Sequence, residues 1–177
     1  MCSLEQFKID LKGLKDEVTT LDYTLDNSFF SALDGSTLSD GALHVSVSIR
    51  KATGFFELLY HVEGTVVVPC DLCLDDMDQP IETDCRQVAK LGSADTEDDD
   101  VVMVDDEEGI LDLSWLIYEL IVLAIPIKHV HAPGKCNSVM TQKLQELSGA
   151  VRSSEEEAEA IDPRWEALMK LKTKSEE

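Results

Sequence analysis

Two groups of residues in this sequence could hold a metal ion. Cys70 and Cys73 stand three positions apart in "CDLC", and His129, His131 and Cys136 follow in "HVHAPGKC". Zinc favours four Cys or His donors in a tetrahedron, and a CxxC turn is a common way to bring two thiolates to one ion. Cys70, Cys73, His131 and Cys136 would complete a Cys3His set, so we predict a structural zinc site. Free thiols without a metal remain the alternative, because the second pair lacks a standard spacing.

A redox function is the second interpretation of the CxxC pair. Disulfide-exchanging pairs usually open a helix, whose N-terminus lowers the thiol pKa. Here the pair follows the extended stretch "TVVVP" and precedes Asp75, Asp76 and Asp78. Neighbouring carboxylates raise a thiol pKa, so the sequence disfavours redox catalysis.

An enzyme with a cysteine nucleophile is a third interpretation, in which His131 would serve as the base for Cys70 or Cys73. The sequence contains no phosphate-binding glycine loop, no GxSxG and no HExxH. A zinc ion bound by four protein ligands would also have no open position for water. We therefore predict a protein that is not an enzyme.

Alternating apolar residues indicate a sheet around the CxxC pair. In "ALHVSVSIRK" one face carries Leu43, Val45, Val47 and Ile49, the period expected of a half-buried strand. "GFFELLYHVEG", "TVVVPC" and "IETDCRQVAKL" continue this extended character, with "KATG" and "EGT" as turns, and Cys85 is in phase with Ile81 as a core residue. Connections this short favour an antiparallel meander.

The remaining elements complete an α+β fold. "FKIDLKGL" predicts a strand, and "NSFFSALD" a short helix capped by Asn27 or Ser28 and ended by Gly35. The principal helix is "LDLSWLIYELIVLAIPIK", with Asp112 as its N-cap and Pro126 as its stop. Its inner face is Leu113, Leu116, Ile117, Leu120, Ile121 and Ala124. Since its other side is also apolar, we expect burial within the fold, or else contact with a partner.

Charge is the strongest global feature. The chain has 36 acidic and 15 basic residues, a formal net charge of -21. Such a surface repels nucleic acid and attracts basic proteins. Residues 93–108 concentrate this charge in acidic loops around the short strand "VVMV", and we predict that Asp98, Asp99 and Asp100 contact a partner. A calcium site is disfavoured there, since an EF-hand would place Met103 where glycine is required.

A change of composition predicts a boundary near residue 147. We expect a single α+β domain over residues 1–147, a flexible acidic linker after it and a short C-terminal amphipathic helix within residues 148–177. Trp165, Leu168 and Met169 form an apolar stripe on that helix and are candidate partner-binding residues. A basic set on the same segment raises the alternative of direct RNA binding: Arg164, Lys170, Lys172 and Lys174.

The sequence gives no indication of export or membrane insertion. The start of the chain lacks the basic and then apolar pattern of a secretory signal. The longest apolar run, residues 115–127, is shorter than the roughly 20 residues that a membrane span needs and contains Glu119. We therefore expect a cytoplasmic protein with its cysteines as thiols or metal ligands.

Three blocks, in this order, resemble the YceD family of large ribosomal RNA subunit accumulation proteins. "VVVPCDLCLDDM" resembles the family's strand and CxRCL-type turn, although Leu72 replaces the basic residue. "GILDLSWLIYELIVLAIPIKHVH" is similar to its helical block, which a cysteine follows, and "DPRWEALMKLK" to its closing element. The resemblance implies a non-enzymatic cytoplasmic factor for 23S ribosomal RNA accumulation and large-subunit assembly. It also suggests a small basic ribosomal protein, or the pre-ribosomal large subunit, as the partner.

Overall fold

The computed structural model describes residues 4–92 and 101–147. After a short 3-10 turn at Leu4–Phe7, the elements follow in one order along the chain. They are β1 (Lys8–Asp10), β2 (Val18–Leu25), α1 (Asn27–Ala32), β3 (Gly41–Ala52), β4 (Phe55–Pro69), β5 (Asp76–Leu91), β6 (Val101–Val104), β7 (Ile110–Asp112), α2 (Leu113–Ala124) and α3 (Ser138–Leu147). The α+β class predicted from the sequence is confirmed.

A five-stranded sheet forms the body of the fold, in the order β2-β3-β4-β5-β6. The strands β2 to β5 pair antiparallel as a meander, and the part formed by β3, β4 and β5 was predicted. The edge strand β6 pairs parallel with β5, with Val88 opposite Val101. Strand β1 lies outside this sheet and pairs with β7.

The sheet has one apolar face and one face toward solvent. Alternate residues of β3 are buried, as predicted. Between β3 and β4, Val45 lies opposite Val62 and Val47 lies opposite Tyr60. Helix α2 packs on this face through its buried residues Leu113, Ile117, Leu120 and Ile121. Burying this many large apolar side chains is the main stabilising contribution to the domain.

One sequence prediction about the strands was wrong, and one strand was missed. The stretches "GFFELLYHVEG" and "TVVVPC" form one strand, β4, rather than two strands joined by a turn at "EGT". Gly64 has a φ of +144°, and a Cβ there would lie 2.3 Å from the carbonyl oxygen of Ala42. The absence of a side chain at Gly64 therefore lets β3 approach β4 closely, and β4 continues through this position without a turn. Strand β2 was not predicted.

The start of α1 differs from prediction, whereas both ends of α2 agree with it. Asp26 caps α1 in place of Asn27 or Ser28, because its side chain accepts hydrogen bonds from the amide (2.9 Å) and hydroxyl (2.5 Å) of Ser28. The predicted N-cap of α2 is confirmed, since Asp112 accepts a hydrogen bond from the Ser114 amide at 2.9 Å. Helix α2 ends before Pro126, as expected.

Two compact units divide the chain between Cys136 and Asn137. In the second unit, α3 was missed by the sequence analysis. Asn137 precedes it, and its side chain accepts a hydrogen bond from the Val139 amide at 3.1 Å, which is the arrangement of an N-cap. The domain boundary near residue 147, the acidic linker and the C-terminal helix stay predictions, because residues 148–177 lie outside the described part.

Candidate metal centre

The CxxC pair lies in the tight turn between β4 and β5. The Cys70 amide donates to the Asp75 carbonyl and the Leu74 amide donates to the Cys70 carbonyl, both at 2.9 Å. Leu74 has a φ of +62°, the one positive φ at a non-glycine position in the described chain. Such a conformation is unfavourable for leucine. The turn therefore depends on these hydrogen bonds and on what it encloses, and both Cys70 and Cys73 are buried.

The second pair of candidate ligands lies in the loop that follows α2. Two hydrogen bonds join this loop to the CxxC turn: Asp71 N–H donates to the His129 carbonyl (3.0 Å), and His129 N–H donates to Asp71 Oδ2 (2.8 Å). The His129 ring also lies 3.0 Å from the Pro126 carbonyl through Nδ1. His129 therefore connects the two segments, and it leaves His131 and Cys136 beside the buried thiols.

The four predicted donors lie close together. Their ligand atoms are all within 4.8 Å of one another. Cys70 Sγ is 3.9 Å from Cys136 Sγ, and His131 Nδ1 is 3.4 Å from Cys73 Sγ and 4.0 Å from Cys136 Sγ. With Zn–S of about 2.3 Å and Zn–N of about 2.0–2.1 Å, the edges of a tetrahedron are about 3.8 Å for S···S and about 3.6 Å for S···N. The spacing of these donors thus fits a tetrahedral zinc ion.

A disulfide does not account for this cluster. Cys70 and Cys136 are free thiols, and their 3.9 Å separation is far longer than the roughly 2.05 Å of an S–S bond. Three thiols and one imidazole also form a soft donor set, which binds zinc in preference to calcium or magnesium. The residues present therefore fit zinc in number, type and spacing.

The thiol pKa values show opposing effects. Burial raises the pKa of Cys70, but hydrogen bonds from the amides of Cys73, His131 and Leu72 outweigh it and bring the value to about 6. The sequence analysis expected neighbouring carboxylates to raise it, and this was wrong, since backbone amides point at the sulfur. Burial and the adjacent Cys70 sulfur raise the pKa of Cys136 to about 11. Crowded thiolates repel each other, and a divalent cation would compensate that charge.

Cys85, His61 and His44 lie apart from the cluster. Cys85 is half-buried on β5 and packs against the core. His61 lies on the solvent face of the sheet with Nδ1 2.8 Å from Asp84 Oδ1, a contact that raises the pKa of the imidazole. His44 is exposed near Asp22. The predicted partner-binding residues lie outside the described residues: Asp98, Asp99, Asp100, Trp165, Leu168 and Met169.

Sequence reasoning missed one residue of this centre, Asp71. It considered His129 as a ligand and did not predict that Asp71 would bond to it. An Asp inside a CxxC pair together with a second His in HxH is a signal that could have indicated a second contact between the two segments. In structural zinc sites, partners outside the ligand set orient the ligands.

Within residues 4–92 and 101–147, no helix is both long enough and apolar enough to cross a membrane. The apolar α2 has 12 residues, too few for a span.

The sheet, α2 and the cluster of four donors define a class: a small α+β protein with a candidate structural metal centre. A family model described as "Large ribosomal RNA subunit accumulation protein YceD" matches residues 58–172. The chain belongs to this YceD family, and the matched range contains all four donors. The family's description connects it with accumulation of the large ribosomal RNA.

A similar protein is the "Uncharacterized protein YlbN" of Bacillus subtilis (strain 168). It is 29% identical over 122 residues, which are 67% of this chain and 67% of YlbN. No solved structure matches the chain.

Proposed function

We propose that this protein is a non-enzymatic factor that supports 23S ribosomal RNA accumulation and large-subunit assembly by binding a basic ribosomal protein. Membership of the YceD family is the observation that carries this proposal. The net charge of -21 specifies how it would act. An acidic protein attracts a basic ribosomal protein over distances of about a Debye length and shields it until RNA displaces it. Its place of action in this proposal is the cytoplasm.

The described surface supports an acidic interface. Four exposed carboxylates lie at every second position of β5, interrupted by Pro80: Asp76, Asp78, Glu82 and Asp84. Glu63 is exposed on β4 directly opposite Glu82. Like charges this close on adjacent strands destabilise the isolated sheet, and a cationic partner would relieve their repulsion.

The metal has a structural role in this proposal. Zinc would be held by Cys70, Cys73, His131 and Cys136, and it would supply a fixed cross-link between the CxxC turn and the loop after α2. With four protein ligands it is closed to water and substrate. This supports a binding protein rather than a hydrolase.

Affinity capture tests the proposal. The tagged chain is incubated at low salt with proteins stripped from purified large subunits by lithium chloride, after RNase treatment, and the retained proteins are identified by mass spectrometry. We expect one or a few basic large-subunit proteins, released as salt is raised. A chain of similar charge from an unrelated fold is the control. Recovery of none, or equal recovery by the control, would reject binding of a specific basic protein.

The same assay distinguishes direct RNA binding from the proposed binding of a basic protein. Without RNase, a chain truncated before residue 160 lacks Arg164, Lys170, Lys172 and Lys174. If these residues bind ribosomal RNA, truncation abolishes RNA retention and removes its salt dependence. Our proposal predicts that protein capture by the truncated chain survives RNase treatment.

A further inference from the structure

Large apolar side chains are exposed along the outer side of α2 and on the CxxC turn. On the helix, Trp115 and Leu123 lie eight residues apart, about 12 Å along the axis, and Leu123 is 81% exposed. Ile127, just beyond the helix, is fully exposed, and Leu74 in the turn is 69% exposed. We call this set the α2–CxxC surface: Leu72, Leu74, Trp115, Leu123 and Ile127.

The metal cluster connects the two parts of this surface. Leu72 and Leu74 flank the buried Cys73, and Ile127 precedes His129 by two residues. Asp71 and His129 are hydrogen-bonded to each other. The end of α2 therefore leads into the loop that is hydrogen-bonded to the CxxC turn, and Leu72 and Ile127 stand one and two residues from the two bonded positions.

Packing among residues 4–92 and 101–147 does not account for this exposure. The opposite face of α2 already fills the core through Ile117 and Ile121. Leu74 in addition holds an unfavourable positive φ while its side chain faces solvent. Strained conformations persist where the surrounding structure enforces them, and they cluster at functional sites. Clustered exposed apolar residues of this kind mark sites of protein contact.

The charges around the surface indicate what covers it. The exposed charged residues of the same segments are Asp71, Asp75, Asp76 and Glu119, against Lys128 and Lys135. A second copy of this chain would bring another net charge of -21 to the contact and would be repelled. An apolar surface with exposed carboxylates in the same segments instead complements a segment that has apolar anchors flanked by lysine or arginine.

We propose that the α2–CxxC surface is the docking site for an apolar-anchored, basic segment of a ribosomal protein. This inference rests on the proposed function and adds the place of contact. The apolar side chains provide the buried anchors, and the carboxylates steer and orient the partner. Zinc, by fixing the turn against the loop, keeps Leu74 and Ile127 in one surface.

Surface variants test the inference with the proteins stripped from the large subunit as the probe. In Leu123→Ser and Ile127→Ser, one apolar anchor is removed at an exposed position. Leu59→Ser is the matched control, since Leu59 is exposed on the solvent face of β4. Unchanged melting temperature, zinc content and sedimentation show that each variant is folded and that its oligomeric state is the same as that of the parent chain. Affinity for each recovered basic protein is then measured by titration.

We expect Leu123→Ser and Ile127→Ser to weaken binding by about tenfold or more, through faster dissociation, because central apolar anchors carry most of the binding energy. Leu59→Ser should bind as the parent chain does. Asp76→Asn should slow association and reduce its salt dependence. Parent-like binding by both apolar variants would overturn the docking site while leaving the proposed function intact. Failure of the parent chain itself to bind would overturn both. A dimer of the parent chain that Leu123→Ser dissociates would identify a second copy as the occupant and overturn the inference.

Discussion

Asp71 and His129, 58 residues apart in the chain, are joined by two backbone-linked hydrogen bonds of 2.8 and 3.0 Å. One runs from the His129 amide to the Asp71 carboxylate, the other from the Asp71 amide to the His129 carbonyl. This pair brings the CxxC turn to the loop that carries His131 and Cys136. The four candidate ligands are thus positioned by backbone contacts as well as by any ion they bind.

Substitution of Asp71 tests that positioning role. Asp71→Ala removes the carboxylate acceptor and leaves all four candidate ligands in place. We expect zinc affinity to fall by about 10- to 100-fold, the usual effect of losing a group that orients metal ligands. Competition with a chromophoric chelator measures it. Asp78→Ala, on the exposed part of β5, is the control. Equal affinities in the two variants would show that the Asp71–His129 contact does not organise the site.

The metal itself gives the second prediction. Protein purified without chelator should contain about one zinc per chain by elemental analysis, and Cys73→Ser should contain little. A free zinc concentration 1,000 times the dissociation constant stabilises the folded state by about 4 kcal/mol. Chelation should therefore lower the melting temperature of the parent chain. Cys85→Ser should retain the metal, because Cys85 packs against the core instead. A zinc-free chain whose melting temperature is unaffected by added zinc would reject a structural metal.

A third prediction concerns the buried carboxylate Glu57, which is paired with Arg50 and lies 2.6 Å from Arg86. The Arg86 hydrogen bond, opposed by burial and assisted by Arg50, lowers the pKa of Glu57. Its contribution to stability is therefore complete above the unfolded pKa of about 4.3 and is lost as pH falls through the lower folded value.

Glu57→Gln should accordingly melt below the parent chain at pH 7, and the difference should shrink as the pH is lowered below about 4. Thermal melts of both proteins across this range measure it. Glu63→Gln, at an exposed position of β4, should show a smaller difference. A gap between Glu57→Gln and parent that stays constant with pH would contradict a role for the carboxylate charge.

Tyr60 gives a fourth prediction. Its hydroxyl oxygen is buried without a hydrogen-bond partner among the described residues, and burial raises its pKa. An unsatisfied buried hydroxyl is unfavourable by about 1–3 kcal/mol. Tyr60→Phe should therefore be at least as stable as the parent chain in urea denaturation. A loss of more than about 1 kcal/mol would show that the hydroxyl has a partner in solution.

The sequence predicts the parts of this fold that have strong periodicity. The alternation from Leu43 to Ile49 and the apolar face of α2 are local patterns, and both elements formed as expected. The two predicted strands on either side of Gly64 form the single strand β4. This depends on the close approach of β3 to Gly64, which is a tertiary contact. Helix α3 has no buried residue, so it lacks the apolar stripe by which helices are recognised.

The candidate site also has a part that the sequence predicts and a part that only the tertiary structure shows. The chemistry of Cys and His was enough to group Cys70, Cys73, His131 and Cys136, and their ligand atoms do lie together. The Asp71–His129 contact and the exposure of Leu74 arise from the path of the backbone. No local pattern encodes them, so they became apparent only in three dimensions.

The most direct test of the central claim is the ratio of 23S to 16S ribosomal RNA after depletion of this protein from its source cells. The account predicts that the ratio falls, that free large subunits decline in sucrose gradients, and that the parent chain restores both. A depleted culture with an unchanged ratio and an unchanged subunit profile would contradict it.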